Sequence, residues 1–169
     1  MQLECTAQAV AFRDVPQGGT CAFAESGKTY VGIKIVQQDY SGRPFTSCAV
    51  FWPGPPDSTN PSALVSGETL DGRSMLYWPD AMIHPTMAAS AIAPADGIAL
   101  HAGMLVLCEG KLFLAVPGMR GAINLVNVQD GEVALSLPGG AGVTFFSWVL
   151  SAPGAAGRET ICHWPPPVG

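Results

Sequence analysis

The sequence has little charge. Only 12% of its 169 residues are Asp, Glu, Lys or Arg, about half the share of an average soluble domain. Between residues 81 and 108 the only charged side chain is Asp96, and residues 133–157 carry none. Because a soluble monomer normally needs more surface charge than this, two explanations stay open. Either loops rich in Gly, Ala and Pro give a neutral polar surface, or partner chains cover much of the surface in an assembly, which we favour.

Long apolar runs are also missing. The most apolar segment, residues 143–150, lies between Pro138 and Pro153 and is far shorter than the ~20 residues of a transmembrane helix. Residues 1–5 have neither the basic nor the apolar region of a signal peptide. The net charge of −5 and the scattered Lys and Arg residues argue against nucleic-acid binding. We therefore expect a protein made in the cytoplasm, with neither a membrane nor a nucleic acid as partner.

Motifs for chemistry are missing as well. The five cysteines form no C-x-x-C pair and indicate reduced thiols, and the histidines lack the spacing of zinc ligands. There is no Gly-x-Ser-x-Gly elbow, and the glycine-rich residues 139–142 lack the Lys-Ser/Thr of a phosphate loop. We predict no metal, cofactor or catalytic residue, and an enzyme acting through His101 or Asp130 ranks third among the candidate functions. Acidic residues beside glycine are expected to cap turns; these are Asp71, Asp96, Asp130 and Glu132.

What the sequence does have is turn residues and a repeat. Its 20 Gly and 15 Pro break the chain into short segments, which excludes long helices and favours short β-strands. An apolar stretch led by glycine, followed by a Gly-Lys turn and a second apolar stretch, occurs twice. The copies are GGTCAF with GKTYV at 18–23 and 27–31, and GMLVLC with GKLFL at 103–108 and 110–114. Two later anchors follow in the same order, 47–51 with 120–124 and 67–70 with 131–134.

The repeated stretches predict strands. Each Gly-Lys turn is expected to close a hairpin, with a shorter loop in the second copy. The predicted strands are 20–24, 29–36, 48–52, 104–108, 112–116, 122–128, 132–137 and 143–150. Several of them are apolar on both faces, whereas an open sheet with one wet face would alternate. The outer face is therefore expected to be covered, by the other repeat or by another chain.

The predicted fold is all-β, with two pseudo-repeated small antiparallel barrels or sandwiches packed together and little helix. Residues 1–82 form the first unit, which carries a Pro-rich loop at 53–61. An Ala/Pro-rich linker follows at 83–99, with one helical turn expected at 87–91. Residues 100–169 form the second unit, and its Pro-rich tail at 164–167 predicts polyproline II.

Aromatic residues are the candidate contacts. The pairs at 51–52 and 77–78 each stand just before a proline and would line a sugar or peptide groove if exposed. Packing in the core or at an interface is the competing interpretation. The residues predicted to contact partner chains are Phe51, Trp52, Tyr77, Trp78, Phe145, Phe146, Trp148 and Trp164.

The repeated pattern resembles small β-barrel proteins common in the genomes of tailed bacteriophages. Such proteins typically carry one copy, whereas this chain has two. They usually have a lysine after the tyrosine-containing strand. Lys34 fits that position in the first copy, and Ala-Val-Pro at 115–117 departs from it in the second. The resemblance implies a virion context, in which an uncharged all-β protein is similar in character to capsid decoration (cement) proteins.

The expected function is therefore a non-enzymatic structural protein of a virus particle. A capsid decoration protein is favoured over a minor head or tail protein. Its partners would be capsid or tail proteins and further copies of itself, with a homotrimer favoured, and many weak apolar contacts would add up through multivalency. The alternative is a β-barrel module that binds a small molecule or carbohydrate near Trp52 and Trp78.

Overall fold

The computed structural model describes residues 7–25, 27–39, 41–52, 63–95, 98–117, 122–134, 136–137 and 142–165. Strands account for 60% and helices for 7% of the structure, so the predicted all-β fold is confirmed. The strands form three antiparallel sheets, two with six strands and one with three.

The first sheet comes from the N-terminal part of the chain. Its strands are β1 (Gln8–Ala11), β2 (Thr20–Glu25), β3 (Lys28–Gln38), β4 (Pro44–Trp52), β5 (Ala63–Ser66) and β6 (Ser74–Trp78). They pair in the order β1-β6-β2-β3-β4-β5. A 3-10 turn, Phe12–Asp14, follows β1, and the single-turn helix α1 (Gly67–Leu70) links β5 to β6.

The other two sheets follow. Strand β7 (Met82–Pro85) comes first and belongs to the third sheet. The second sheet contains β8 (Ile92–Pro94), β9 (Leu105–Cys108), β10 (Lys111–Pro117), β11 (Ile123–Asn127), β12 (Val133–Ala134) and β13 (Val143–Phe145). Strands β14 (Trp148–Gly154) and β15 (Gly157–Trp164) complete the third sheet, whose order is β15-β14-β7.

The two six-stranded sheets have the same topology. The second sheet pairs in the order β8-β13-β9-β10-β11-β12. In each sheet the last strand of the unit, β6 or β13, lies between two neighbours. On one side it pairs with the first strand, β1 or β8. On the other side it pairs with the start of a four-stranded meander, β2–β5 or β9–β12. This shared strand order accords with the two β-units that the repeated anchors predict.

The repeated hairpins also share their hydrogen bonds. The Gly18 N–H donates to the Lys34 carbonyl at 2.8 Å, and the Gly103 N–H donates to the Ala115 carbonyl at 2.8 Å. Ala115 is therefore the structural counterpart of Lys34. Glu25 pairs with Lys28, and Cys108 pairs with Lys111, so both turns are two residues long.

The hairpins differ in their arms. Gly18 lies seven residues before Glu25, whereas Gly103 lies five residues before Cys108. The prediction of a shorter loop in the second copy was wrong, because the missing residues come from the arms. Each arm of the second hairpin is two residues shorter than the matching arm of the first. Because side chains alternate between the two faces of a strand, a loss of two residues leaves the remaining side chains on the same faces.

Both faces of each hairpin are buried. One face of the first sheet packs against the second and third sheets; this shared core includes Ile33 and Phe51 with Leu114, Val116 and Trp148. The opposite faces fill a separate core in each unit. The first-unit core includes Phe12, Phe23, Cys48 and Leu70, and the second-unit core includes Val106, Phe113, Ala115 and Leu125. The doubly apolar strands are thus covered within the same chain, on one face by the other repeat and on the opposite face by their own unit.

Some predicted elements need correction. The apolar run 143–150 is not one strand, since β13 belongs to the second sheet and β14 to the third. The chain changes sheets at residues 146–147, where the Ser147 carbonyl accepts a hydrogen bond from the Thr86 N–H at 2.9 Å. The linker predicted at 83–99 contains most of β7, the whole of β8 and a 3-10 turn at Ala89–Ala91. The Pro-rich loop at 53–61 and residues 166–167 of the tail lie outside the described residues.

The turn between β11 and β12 packs directly on the base of the first hairpin. A Cβ atom on Gly131 would lie 2.5 Å from the Gly18 nitrogen and 2.8 Å from the Lys34 carbonyl oxygen. A Cβ atom on Gly18 would lie 2.8 Å from the carbonyl carbon of Asp130. The two units therefore approach each other backbone to backbone, and this contact requires glycine on both sides.

We predict that Gly131→Ala destabilises the protein more than Gly110→Ala does. Both glycines have positive φ, +70° and +74°, but a Cβ atom on Gly110 would meet nothing within 4 Å. The control, Gly110→Ala, should lower the free energy of unfolding only by the strain of a non-glycine residue at positive φ, about 1–2 kcal/mol. Gly131→Ala adds a backbone clash between the units, which should at least double that loss. Urea unfolding measures both losses, and equal losses would contradict the close approach of the two units.

Candidate protein-binding surfaces

Lys34 is the most enclosed charged side chain in the described structure, and its partners are backbone carbonyls. Only 7% of its surface is exposed. The ammonium donates to the carbonyls of Phe12 at 3.1 Å, Arg13 at 2.9 Å and Val15 at 2.7 Å. It also lies 5.1 Å from the centre of the Phe12 ring. Lys34 thus fastens the 3-10 turn to β3, which is a structural role.

Burial lowers the pKa of Lys34 from its usual 10.5, and the nearby Cys21, Asp14 and Asp71 oppose that shift. All three ammonium hydrogens have acceptors, so the charge is compensated inside the fold rather than offered to a ligand. The counterpart of this lysine in the second unit is Ala115, which lies in the apolar core. The lysine is thus a point at which the two copies differ.

The cysteines behave as small apolar residues, as predicted for Cys21, Cys48 and Cys108. These three and Cys162 are all buried. Contact with the Cys21 thiol, together with burial, raises the pKa of Cys48, and burial raises the pKa of Cys162 to about 12. The Cys48 and Cys162 thiols therefore stay protonated at neutral pH.

Two residues considered for acid–base chemistry have other partners. Asp130 accepts hydrogen bonds from the Asn127 side chain and the Glu132 N–H, each at 2.9 Å, which confirms its predicted role as a turn cap. At His101 the hydrogen bond is made by the backbone, whose N–H donates to the Met104 sulfur at 3.4 Å, and not by the imidazole. Among the described residues, no group of three His, Cys, Asp or Glu side chains is placed to hold a metal ion.

Three of the predicted contact residues lie in the shared core. Phe51 and Trp148 are fully buried, and Phe145 is 3% exposed. Phe51 meets Trp148 edge to face at 5.3 Å, and Trp148 stacks on Trp164 at 6.1 Å. The Trp148 Nε1–H donates to the Gly103 carbonyl at 2.7 Å. The expectation that these three side chains contact another chain needs correction, because they join the sheets of this one.

Among the remaining aromatic candidates with described side chains, Tyr77 and Trp78 do not line one groove. Tyr77 and Trp78 are both half-buried, but Tyr77 packs against the first-unit core and Trp78 against the shared core. They therefore lie on opposite faces of β6. Phe146 and Trp164 are half-buried. Trp52 ends β4, and its side chain lies outside the described part of the structure.

Two exposed leucines lie on the same rung of the repeated sheet, one in each unit, but on different strands: Leu76 on β6 and Leu107 on β9. Leu76 pairs with Ala22, and Leu107 pairs with Val143. Aligning Gly18 with Gly103 places Ala22 on Leu107, so the two pairs are the same rung of the repeated sheet. Leu76 is 46% and Leu107 39% exposed. We call them the rung leucines; each lies at the rim of the shared core, and sequence reasoning missed both.

The third sheet presents a second surface, which we call the outer face. Strand register places Met82 beside Ser151, and His84 and His163 on either side of Val149. The alternate residues Ile83 and Leu150 point into the shared core. The outer face is therefore the opposite side of the sheet, and it consists of Met82, His84, Val149, Ser151, Arg158, Thr160 and His163.

A hydrogen-bond network fixes a positive charge on the outer face. Arg158 donates through Nε to the Ser151 hydroxyl at 3.0 Å and through a terminal nitrogen to the Asp80 carbonyl at 2.7 Å. The Ser151 hydroxyl lies 3.0 Å from His84 Nε2. Because the hydroxyl accepts from Arg158, its own hydrogen stays available to a second partner. Ser151 is only 6% exposed, so this network positions Arg158 rather than activating a nucleophile.

An acidic cleft lies in the first unit. Its volume is about 540 Å³, and its lining residues come from β3, β4, β5 and α1 with the residue that follows the helix. Glu68 and Asp71 contribute exposed carboxylates, and Val36, Pro44 and Phe45 contribute apolar side chains. The lining consists of Val36, Pro44, Phe45, Thr46, Ser66, Glu68 and Asp71.

Comparison of the chain with protein-family models, curated proteins and solved structures finds no match in any of the three. Within the described residues, no helix has the length and apolar character needed to cross a membrane.

We predict that Lys34→Met lowers the free energy of unfolding by about 2–4 kcal/mol, because three enclosed carbonyls lose a charged donor. The matched control is Lys28→Met at the exposed hairpin tip, which should change stability by less than about 0.5 kcal/mol. Urea unfolding at neutral pH measures both. An equal, small effect of the two substitutions would show that the three carbonyls do not depend on Lys34.

The stability difference between wild type and Lys34→Met should also depend on pH. The folded pKa of Lys34 lies below its usual 10.5, so the unfolded chain binds more protons in the alkaline range between the two values. The free energy of unfolding of the wild type should therefore rise relative to the variant as pH increases through that range. A difference that stays constant up to pH 10.5 would contradict the lowered pKa.

Proposed function

We propose that the protein is a non-enzymatic structural protein of a virus particle, most specifically a capsid decoration protein and otherwise a minor head or tail component. The observation that supports this proposal is the pair of rung leucines. The repeated sheets expose an apolar side chain at the same rung in both units. A repeated contact on the protein suits a partner whose own surface is repeated, as a lattice of capsid subunits is.

The physics of such binding favours two weak contacts on one rigid body. Each leucine is already more than half buried, so covering its exposed part is worth only about 1 kcal/mol. The shared core joins the two units through side chains of all three sheets, so they present both leucines at a fixed separation. Once one leucine is bound, the second binds at a high effective concentration, and the overall affinity exceeds that of either contact.

The resemblance of the repeated turn motif to small phage β-barrel proteins supplies the virion context. The carbohydrate-binding alternative depends on an aromatic groove around Trp52 and Trp78. Trp78 packs against the shared core and Tyr77 faces the other way, so their placement does not favour that alternative.

The proposal predicts that the protein is a stoichiometric part of purified virus particles. Quantitative mass spectrometry of particles from the source that encodes the chain should detect it in a fixed ratio to the major capsid subunit. Separate analysis of heads and tails would locate it. Its absence from intact particles would sink the proposal, and its presence in tails alone would select the tail component.

Particles stripped of the protein allow a sharper test by adding it back. Leu76→Asp and Leu107→Asp should each weaken binding by roughly tenfold or more, since each places a charge at an apolar contact. The double variant should lose binding altogether, because multivalency is lost with both contacts. Met87→Asp is the matched control; Met87 is 74% exposed but lies outside the strands. Equal binding by all four variants would contradict the role of the rung leucines.

A further inference from the structure

We propose that the outer face of one copy docks into the acidic cleft of a second copy, so that the protein assembles head to tail. This inference goes beyond the proposed function, because it concerns self-association of the isolated chain and uses neither rung leucine. Its partner is a second copy of the same chain, identified by complementary charge and by an apolar anchor.

The outer face supplies the positive charge. Arg158 is held in place by the Asp80 carbonyl and by Ser151, and among the described residues it has no ion-pair partner. His84 and His163 lie on the same face. Glu159, the residue after Arg158, lies beside Gly154 on the opposite side of the sheet. An acidic protein of net charge −5 therefore has one sheet face without a carboxylate among its described residues.

The cleft supplies the negative charge. Glu68 and Asp71 are exposed in its lining, and the ion pairs found among the described residues, Arg13–Asp14 and Arg73–Glu25, involve neither of them. Asp71 is partly offset by the nearby buried Lys34. Glu68 is therefore the main uncompensated charge of the cleft.

An apolar anchor accompanies the charges. Met82 lies on the outer face beside Ser151 and is 52% exposed. The cleft offers Val36, Pro44 and Phe45 as an apolar wall. Methionine is flexible and its sulfur contacts aromatic rings favourably, so it suits a cavity of this kind. The two surfaces thus match in charge and in apolar character.

The two surfaces cannot satisfy each other within one chain. The third sheet meets β4 where Trp148 contacts Phe51 at 5.3 Å. Phe45, in the cleft, lies six residues earlier on the same strand, about 20 Å away at the rise of a β-strand. The outer face also points away from the shared core, on the other side of the sheet from Trp148. The match can therefore be made only between copies.

A contact between two different surfaces is heterologous, so every copy offers one face and one cleft to its neighbours. Such contacts close into a ring if the rotation per step permits, and otherwise continue into an open chain. A closed ring of three would be the homotrimer that the sequence led us to expect. Charge pairs at a rim mainly govern association rate and specificity and weaken with salt.

Charge reversal tests the contact. Wild-type protein at micromolar concentration should form oligomers by size exclusion with light scattering, and raising the salt concentration should weaken them. Arg158→Glu and Glu68→Arg should each raise the dissociation constant by roughly tenfold or more, since each places like charges opposite one another. The double variant with both changes in one chain should restore oligomers, because its face and cleft are again complementary.

Matched controls separate this contact from general charge effects and from misfolding. Lys111→Glu changes the charge at an exposed hairpin tip by the same amount as Arg158→Glu, and Glu132→Arg matches Glu68→Arg at the corresponding anchor of the second unit. Both should leave association unchanged, and circular dichroism should show that every variant is folded.

A wild-type chain that stays monomeric would overturn the proposal. So would reversal variants that associate like the controls, or a folded double variant that is not restored. None of these outcomes bears on whether the chain is found in virus particles, so the two proposals can fail separately.

Discussion

Burial of both faces of two hairpins is the constraint on which the rest of the structure depends. Strands β2–β3 and β9–β10 are apolar on both sides, so neither hairpin can lie on a surface without exposing a row of hydrophobic side chains. Each hairpin fills its own unit with one face and joins the other unit with the second. The shared core, the glycine contact at Gly18 and Gly131, and the third sheet all follow from that requirement.

The sequence was sufficient to predict the elements that turns and periodicity define. The Gly-Lys turns located both hairpins, and Asp-Gly at 130–131 correctly indicated a turn between two strands. Alternation was less informative, because a run that is apolar on both faces does not show where one strand ends. The apolar run therefore predicts one strand over residues 143–150, although the chain changes sheets within them.

The surfaces were harder to predict than the fold, and the aromatic residues show why. Phe51 and Trp148 were candidates for contact with another chain, yet they meet each other inside this one. A large apolar side chain is equally suited to a core and an interface, so its type alone does not distinguish them. The outer face arises from the register of β14 with the neighbouring strand β15 and with the distant strand β7. The β7–β14 pairs join residues more than 60 positions apart, and no local pattern records that pairing.

The shared core has a consequence for how the chain is made. A ribosome delivers the first unit before the second, at about 5–20 residues per second. During that interval the face that carries Val31, Ile33 and Ile35 has no covering sheet, because its partners Leu114, Val116 and Trp148 come later in the sequence. Nascent chains on neighbouring ribosomes would then expose identical apolar surfaces to one another. During synthesis the apolar face of the first unit can therefore associate with another nascent chain before its own second unit covers it. Faster translation of the second repeat shortens that period.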